Sequence, residues 1–196
     1  TSIYMADSVK EIGQSAFFNC IKLKNITLSN SITEIVDIFD GTIIQTLNIP
    51  KKVNSVKRGA FEYMRSLRDI NVADENEWYA SIDGVLYNKA KTDLISYPIG
   101  RGPHYEIPVG TKLIGPHSFR HAISLTSISM PASVKIIDYR SFEGSGIKEV
   151  IIPEGVETIG NSAFVRSDNL VNVLFPKSLK NIYSNSFRFT GLTEVY

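Results

Sequence analysis

Few side chains in this sequence have the types and spacing that acid–base or metal chemistry requires. His117 and His121 are four residues apart, a spacing that would place two metal ligands on one face of a helix. No acidic pattern accompanies them, and Pro116 places the pair in a polar turn, so both are predicted to be exposed surface side chains. His104 lies between a proline and a tyrosine and is no stronger a candidate for a metal ligand. The sequence therefore predicts no metal site and no cofactor.

The candidate nucleophiles also lack the partners that would activate them. Cys20 is the only cysteine, so it cannot form an intrachain disulfide, and it is predicted to be a buried structural thiol. There is no G-x-S-x-G motif, and many serines recur at regular positions, whereas a catalytic serine has to be unique. A non-catalytic protein is therefore expected. The recurring serines are Ser15, Ser118, Ser141, Ser162 and Ser186.

Composition limits the classes of partner. The 196 residues include 21 basic and 20 acidic side chains, a net charge of +1, and no basic run is longer than Lys51-Lys52. Nucleic acid and anionic lipid surfaces normally require a concentrated positive charge, so neither is expected as a partner. No apolar run approaches the roughly 18 residues of a membrane span. Because the chain starts at Thr1 and stops abruptly at Tyr196, we expect a mature or excised fragment.

An internal repeat organises nearly the whole chain. The segment IPEGVETIGNSAF, residues 152–164, has close counterparts in MPASVKIIDYRSF and FPKSLKNIYSNSF, residues 130–142 and 175–187. Further copies end at earlier phenylalanines, a degenerate copy ends at Phe39, and one long step of 58 residues separates Phe61 from Phe119. The terminal phenylalanines of the clear copies are Phe17, Phe61, Phe119, Phe142, Phe164 and Phe187, the last four at intervals of 23, 22 and 23 residues.

Each copy continues into an L-x-x-I-x-I stretch, as in Leu125, Ile128 and Met130. Its last two apolar positions alternate as in a strand, and one such strand cannot bury its apolar face alone. Strands that recur at this interval can stack as a parallel ladder, with the rest of each repeat as the return path. The sequence therefore predicts one repeat solenoid over residues 1–196, mostly β and irregular.

The pattern L-x-x-I-x-I-P-x-x-V-x-x-I-x-x-x-(Ala/Ser)-Phe resembles the BspA-like, or Treponema-type, leucine-rich repeat. This resemblance covers nearly the whole chain. It implies a right-handed leucine-rich-repeat coil of the α/β type, with a short-stranded parallel sheet on its concave side. It also implies a secreted or cell-surface protein of bacteria or protists, often linked to adhesion.

The long step contains a β-rich segment, residues 73–106, which reads as a β-hairpin insert or an irregular repeat. Asp83-Gly84 between short apolar runs predicts a tight hairpin turn, and Leu94 to Tyr97 predicts a further strand. The segment's aromatic side chains could form a platform for a sugar or a protein, or could pack a small core of the insert. The structural interpretation is favoured. The platform candidates are Trp78, Tyr79, Tyr87 and Tyr97.

The outward positions of the strands are the remaining candidates for a binding site, since they alternate with the buried anchors. Ile151, Leu174 and Tyr196 are apolar and are predicted to lie side by side as an exposed stripe. The stripe could bind a partner or contact residues beyond Tyr196, and the sequence favours neither. The equivalent positions in earlier copies are polar, among them Asn48, Asn71 and Ser129.

These observations predict a non-catalytic, extracellular or cell-surface scaffold that binds a protein or a glycan on its concave sheet. The alternative is an architectural spacer within a longer surface protein. The final stretch GLTEVY begins another strand, so end-to-end self-association through an open edge is also expected.

Overall fold

A computed structural model describes residues 1–195 as a β-solenoid of about eight turns. Each turn, here called a coil, is numbered by the aromatic residue that it contributes to an internal spine. No α-helix occurs in this range, and the predicted repeat solenoid, mostly β and irregular, is confirmed. The spine residues of coils 1 to 8 are Phe17, Phe39, Phe61, Tyr97, Phe119, Phe142, Phe164 and Phe187.

One side of the solenoid is a ladder of short parallel strands, which we call the front ladder. Its strands pair within successive sheets, with registers such as Val150 to Val173. The strands are β1 (Ser2–Tyr4), β2 (Asn25–Thr27), β4 (Thr46–Ile49), β6 (Asp69–Val72), β10 (His104–Glu106), β12 (Ser127–Ser129), β14 (Glu149–Ile151), β16 (Asn172–Leu174) and β18 (Glu194–Val195).

A second side, the side ladder, carries two-residue strands and one antiparallel hairpin. The strands are β3 (Glu34–Ile35), β5 (Ser55–Val56), β7 (Tyr79–Ile82), β8 (Val85–Asn88), β9 (Asp93–Ser96), β11 (Leu113–Ile114), β13 (Ile136–Ile137), β15 (Thr158–Ile159) and β17 (Asn181–Ile182). Strands β7, β8 and β9 join the later strands in one seven-stranded sheet of order β17-β15-β13-β11-β9-β8-β7, whereas β3 pairs with β5 separately.

The repeat pattern explains the alternation of burial along the front ladder. In β14 the central Val150 is buried, and its neighbours Glu149 and Ile151 are exposed, because successive side chains of a strand point to opposite faces. The first apolar position of the repeat, for example Ile147, is buried as well. A single repeat therefore encloses its apolar residues only when another coil is stacked on it.

The spine is a stack of aromatic rings inside the coil. The rings of Phe119, Phe142, Phe164 and Phe187 follow one another with centroid separations of 4.8, 4.9 and 5.1 Å and interplanar angles of 10° or less. Phe142 is fully buried, so the predicted phenylalanine register is confirmed. The rings turn inwards because the backbone is left-handed two residues before and after them, at φ 57° for both Ser162 and Arg166.

Tyr97 occupies the spine position within the long step between phenylalanines. Its backbone N–H donates to the Ser118 carbonyl at 2.8 Å, just as that of Phe119 donates to the Ser141 carbonyl at 2.7 Å. The Tyr97 ring lies 4.9 Å from that of Phe119. Segment 73–106 thus contains the hairpin strands, a spine residue and the front strand β10.

The hairpin divides the interior into two hydrophobic cores. Its turn at Asp83-Gly84, with φ values of 48° and 70°, is the one predicted. Along β8, Leu86 belongs to the core of the preceding coils, whereas Val85 and Tyr87 belong to the core of the following coils. Strand alternation therefore makes β8 the wall between the two cores.

The prediction of a buried Cys20 is wrong, because this thiol is exposed. In later coils the same repeat position is covered, as at Met64 and Ser167. The Ser167 hydroxyl donates to the Phe142 carbonyl at 2.7 Å, so the preceding coil covers this position. Within residues 1–195, coil 1 has no coil on that side.

Candidate functional site

The outward side chains of the front ladder line up in a column across the coils. The strand registers align Tyr4 with Thr27, Asn48 with Asn71, and Ile151 with Leu174. All of these side chains are exposed, whereas their alternating neighbours are anchored in the core. The column is therefore available for contact along most of the solenoid.

The column is polar in its earlier part. The Asn71 side chain donates from Nδ2 to Oδ1 of Asn48 at 3.1 Å, so the two amides form a cross-strand rung. Ser129, on β12, is also exposed and aligns with Glu106 on β10. These groups can offer hydrogen bonds to a partner but little apolar area.

The later part of the column is apolar. Ile151 is 68% exposed and Leu174 is 50% exposed, although the anchors Val150 and Ile152 on either side of Ile151 are each 2% exposed. The predicted register and exposure of Ile151 and Leu174 agree with the structure. Tyr196, the third predicted member, lies outside the described residues. We call Ile151 and Leu174 the apolar stripe.

The apolar stripe lies beside polar groups. Glu149 and Asn172 pair two strand positions away, on the same face, and are exposed, so they flank the stripe along the same strands. Complete burial of an Ile or Leu side chain contributes about 1.5–3 kcal/mol. The stripe can therefore supply the apolar centre of a contact, with hydrogen-bonding groups at its border.

A polar cleft interrupts the front ladder between β6 and β10. The hairpin turn enters this gap, where the Ile70 N–H donates to the Gly84 carbonyl at 2.8 Å. Arg101 donates to the Asp83 carbonyl and approaches the Asp83 carboxylate at 3.4 Å. Sequence analysis did not identify this cleft, because its charged groups come together only when the hairpin folds against β6.

The aromatic segment does not form the platform considered from the sequence. Tyr87 and Tyr97 are 0% and 1% exposed, so neither ring can meet a partner. Burial raises the pKa of Tyr97 to about 12 and also raises the pKa of Tyr87. The Tyr79 hydroxyl accepts the Val56 N–H at 3.0 Å and ties β7 to β5. Of the four platform candidates, Trp78 alone is exposed, at 43% of the residue.

The prediction that His117 and His121 are exposed is also wrong. Both occupy left-handed turn positions beside Phe119, at φ 60° and 59°, and both are partly buried. His117 packs on Tyr139 at 5.4 Å, and His121 packs on Tyr63 at 5.3 Å, between ring centroids. Burial lowers the pKa of His121. The two rings fill space between coils and share no metal-binding geometry.

Carboxylates, histidines and cysteines do not cluster into a metal site anywhere in residues 1–195. The same part of the chain has no helix with the length and apolar character needed to cross a membrane.

Comparison with known proteins identifies the repeat. A family model described as the BspA type leucine-rich repeat region matches residues 1–94 and 103–196 in six copies. No curated protein matches the chain by sequence.

Several solved structures share the fold. A leucine-rich repeat protein from Eubacterium ventriosum is 26% identical with a TM-score of 0.79, over 94% of this chain and 56% of the other. The pneumococcal vaccine antigen PcpA is 28% identical with a TM-score of 0.67, over 94% and 57%. A leucine-rich cell surface protein from Faecalibacterium prausnitzii is 26% identical with a TM-score of 0.69, over 99% and 59%. The chain thus spans less than two thirds of the length of these structures.

Proposed function

Because the chain belongs to the BspA-type leucine-rich repeat family, we propose that it is a non-catalytic binding scaffold of the cell surface or of the secreted fraction. The repeat architecture supports this role, since a solenoid presents one long ladder of outward side chains on a rigid frame. The similarity to a cell surface protein and to a vaccine antigen supports the location. The partner is a protein held on the front ladder.

The apolar stripe is the observation that carries this proposal. Ile151 and Leu174 stay exposed although their neighbours on the same strands are buried, and they lie directly opposite each other. Contiguous exposed apolar area on a soluble protein indicates a contact surface. Branched aliphatic side chains suit a protein partner better than a glycan, because sugars are usually held by aromatic rings and hydrogen-bonding groups.

Binding assays on the chain would test the proposal. Immobilised fibronectin, laminin, fibrinogen and collagen serve as protein probes, and a glycan array covers the alternative ligand class. We expect at least one matrix protein to bind, and the double substitution I151S/L174S to weaken that binding at least tenfold. Circular dichroism melts should show that the variant remains folded, since neither side chain enters the core.

The matched control is N48S/N71S, which changes two outward residues of the same column at the polar end. It should leave binding within about twofold of the wild type. Equal loss in both double variants would move the contact away from the apolar stripe. Binding only on the glycan array would replace the protein partner with a sugar.

The second candidate is an architectural spacer within a longer surface protein. The regular stack of coils favours this role as well, because each coil adds length to a rigid rod. Absence of binding to every matrix protein and glycan up to millimolar concentration would favour the spacer over the binding scaffold.

A further inference from the structure

A cavity of about 190 Å³ lies on the spine side of coil 4, away from the front ladder. It opens between residues 57–62 of coil 3 and residues 115–120 of coil 5. Most of its wall is apolar. The main contributors are Phe61, Leu94, Ile95, Tyr97, Ile99 and Pro116.

The cavity exists because coil 4 has a short turn before its spine residue. Leu94 pairs with Ile114 in the side ladder, so these two residues occupy equivalent places. Four residues, 115–118, separate Ile114 from Phe119, whereas two residues, 95–96, separate Leu94 from Tyr97. The turn of coil 4 therefore does not fill the layer between the turns of coils 3 and 5.

A buried hydroxyl without a partner lines this cavity. Ser118 is 1% exposed, and its Oγ has no hydrogen-bond partner among the described residues. In coil 8 the equivalent Ser186 donates to the Gly160 carbonyl of the preceding coil at 2.9 Å. Ser118 makes no equivalent bond to coil 4. A buried polar group left unpaired costs free energy, which a hydrogen bond to a ligand can recover.

The rim carries charged side chains of both signs. Glu62 is held by Arg120 at 2.7 Å, whereas Arg58 and Asp93 form no ion pair among the described residues. The interior between these side chains is apolar, so a charged ligand would lose its hydration there.

The size of the cavity, its apolar lining and the unpaired Ser118 hydroxyl together indicate which ligand it can hold. An apolar cavity of about 150 Å³ is large enough for benzene. We propose that the coil 4 cavity binds a small neutral aromatic molecule with a single hydrogen-bonding group, of the phenol or indole type. The ring lies against the apolar wall, and the polar group of the ligand bonds to the Ser118 hydroxyl. This site is separate from the apolar stripe and does not depend on it.

Indole is the probe for the first test, added to the isotopically labelled chain up to its solubility limit. We expect amide shifts in residues 57–61, 94–97 and 115–118, and calorimetry should give one binding site. The front strands β14 and β16 should not respond. Absence of shifts at saturation, or shifts concentrated elsewhere, would overturn the proposal.

Substitutions at Ser118 and Ser141 separate the cavity from the repeat position. Both serines precede a spine phenylalanine, both are buried, and both have an unpartnered hydroxyl, but Ser141 does not line the cavity. S118A should weaken indole binding about fivefold to tenfold, as expected for one lost hydrogen bond. S141A should leave the affinity within about twofold. Equal effects of the two substitutions would contradict the proposed contact.

A larger side chain tests whether the space is usable. S118L should abolish indole binding, because the leucine would occupy the cavity. It should lower the melting temperature less than S141L, whose leucine meets a full-length turn and overpacks the core. Indole binding that survives in folded S118L would overturn the site. If S118L does not fold, the shift map of the wild type and the S118A affinity still decide the proposal.

Discussion

Arg120 of coil 5 and Glu62 of coil 3 form a half-buried ion pair that spans coil 4, with Nη1 2.8 and 2.7 Å from the two carboxylate oxygens. Arg120 also reaches Glu143 of coil 6, with Nε 2.9 Å from its Oε2. Burial alone would raise the pKa of Glu62, but hydrogen bonds from His117 and Arg120 outweigh it and hold that pKa below its usual range. One guanidinium thus links coils that are not consecutive.

Removal of this guanidinium should be costly at neutral pH. R120M leaves the partly buried Glu62 and the buried Glu143 without their main counter-ion, and we expect a loss of about 3 kcal/mol in the free energy of unfolding. Because the pKa of Glu62 is lower in the folded than in the unfolded state, its ionised form stabilises the fold at pH values above the unfolded pKa. This stability is lost as the pH falls through the folded pKa. The deficit of R120M should therefore shrink between pH 7 and pH 4 in urea melts. An equal deficit at both pH values would contradict the electrostatic explanation.

Asp40 should make the protein less stable as the pH rises. Burial, followed by the contact with Asp37, raises the pKa of Asp40 to about 7. The folded state then binds a proton that the unfolded state releases near pH 4, so stability is lost as the pH rises towards and through 7. D40N should be more stable than the wild type at pH 8, by on the order of 2 kcal/mol, and similar at pH 4. Substitution of the exposed Asp74 by asparagine should show no such difference.

Truncation of a spine ring should remove a large part of the stability. Phe142 is fully buried between two stacked rings, so F142A should lower the free energy of unfolding by about 3–5 kcal/mol. Phe189 is a suitable control, since it is 57% exposed, and F189A should cost less than about 1 kcal/mol. Guanidinium melts of both variants give the comparison, and a small loss in F142A would mean that the spine does not hold the coils together.

Coil 8 presents apolar side chains that should promote self-association of the 196-residue chain at high concentration. Ile182 and Tyr183 are more than half exposed, at 52% and 55%. Exposed apolar area at the open edge of a stack tends to pair with another copy. Sedimentation velocity should show a dimer at about millimolar concentration that I182S/Y183S abolishes. Dimerisation that persists in this variant would exclude this surface.

The periodic pattern was sufficient to predict the residues that every coil repeats. Phe142 is buried and Ile151 is exposed because both follow the register that the sequence shows directly. Departures from the period were harder to foresee. Tyr97 ends an Ile-Ser-Tyr run that resembles the Ser-Phe ending of other copies, but the turn before it is two residues shorter.

Position within the stack accounts for the other errors. Cys20 has the right repeat position for burial, but within residues 1–195 no coil lies on the side that covers its counterparts. His117 and His121 lie in turns that look polar in sequence, and neighbouring coils bring Tyr139 and Tyr63 over their rings. The cavity of coil 4 has no residue motif of its own, because it results from a deficit in turn length.

The wall that β8 forms between the two cores has a mechanical consequence. Leu86 is anchored on one side of it, and Val85 and Tyr87 on the other, so tension along the solenoid axis is transmitted through this hairpin as well as through the Arg120–Glu62 ion pair. When the termini are pulled apart, the coils before and after the hairpin should extend as two units, each with its own rupture force. A rod of identical coils would instead unravel one coil at a time from an end.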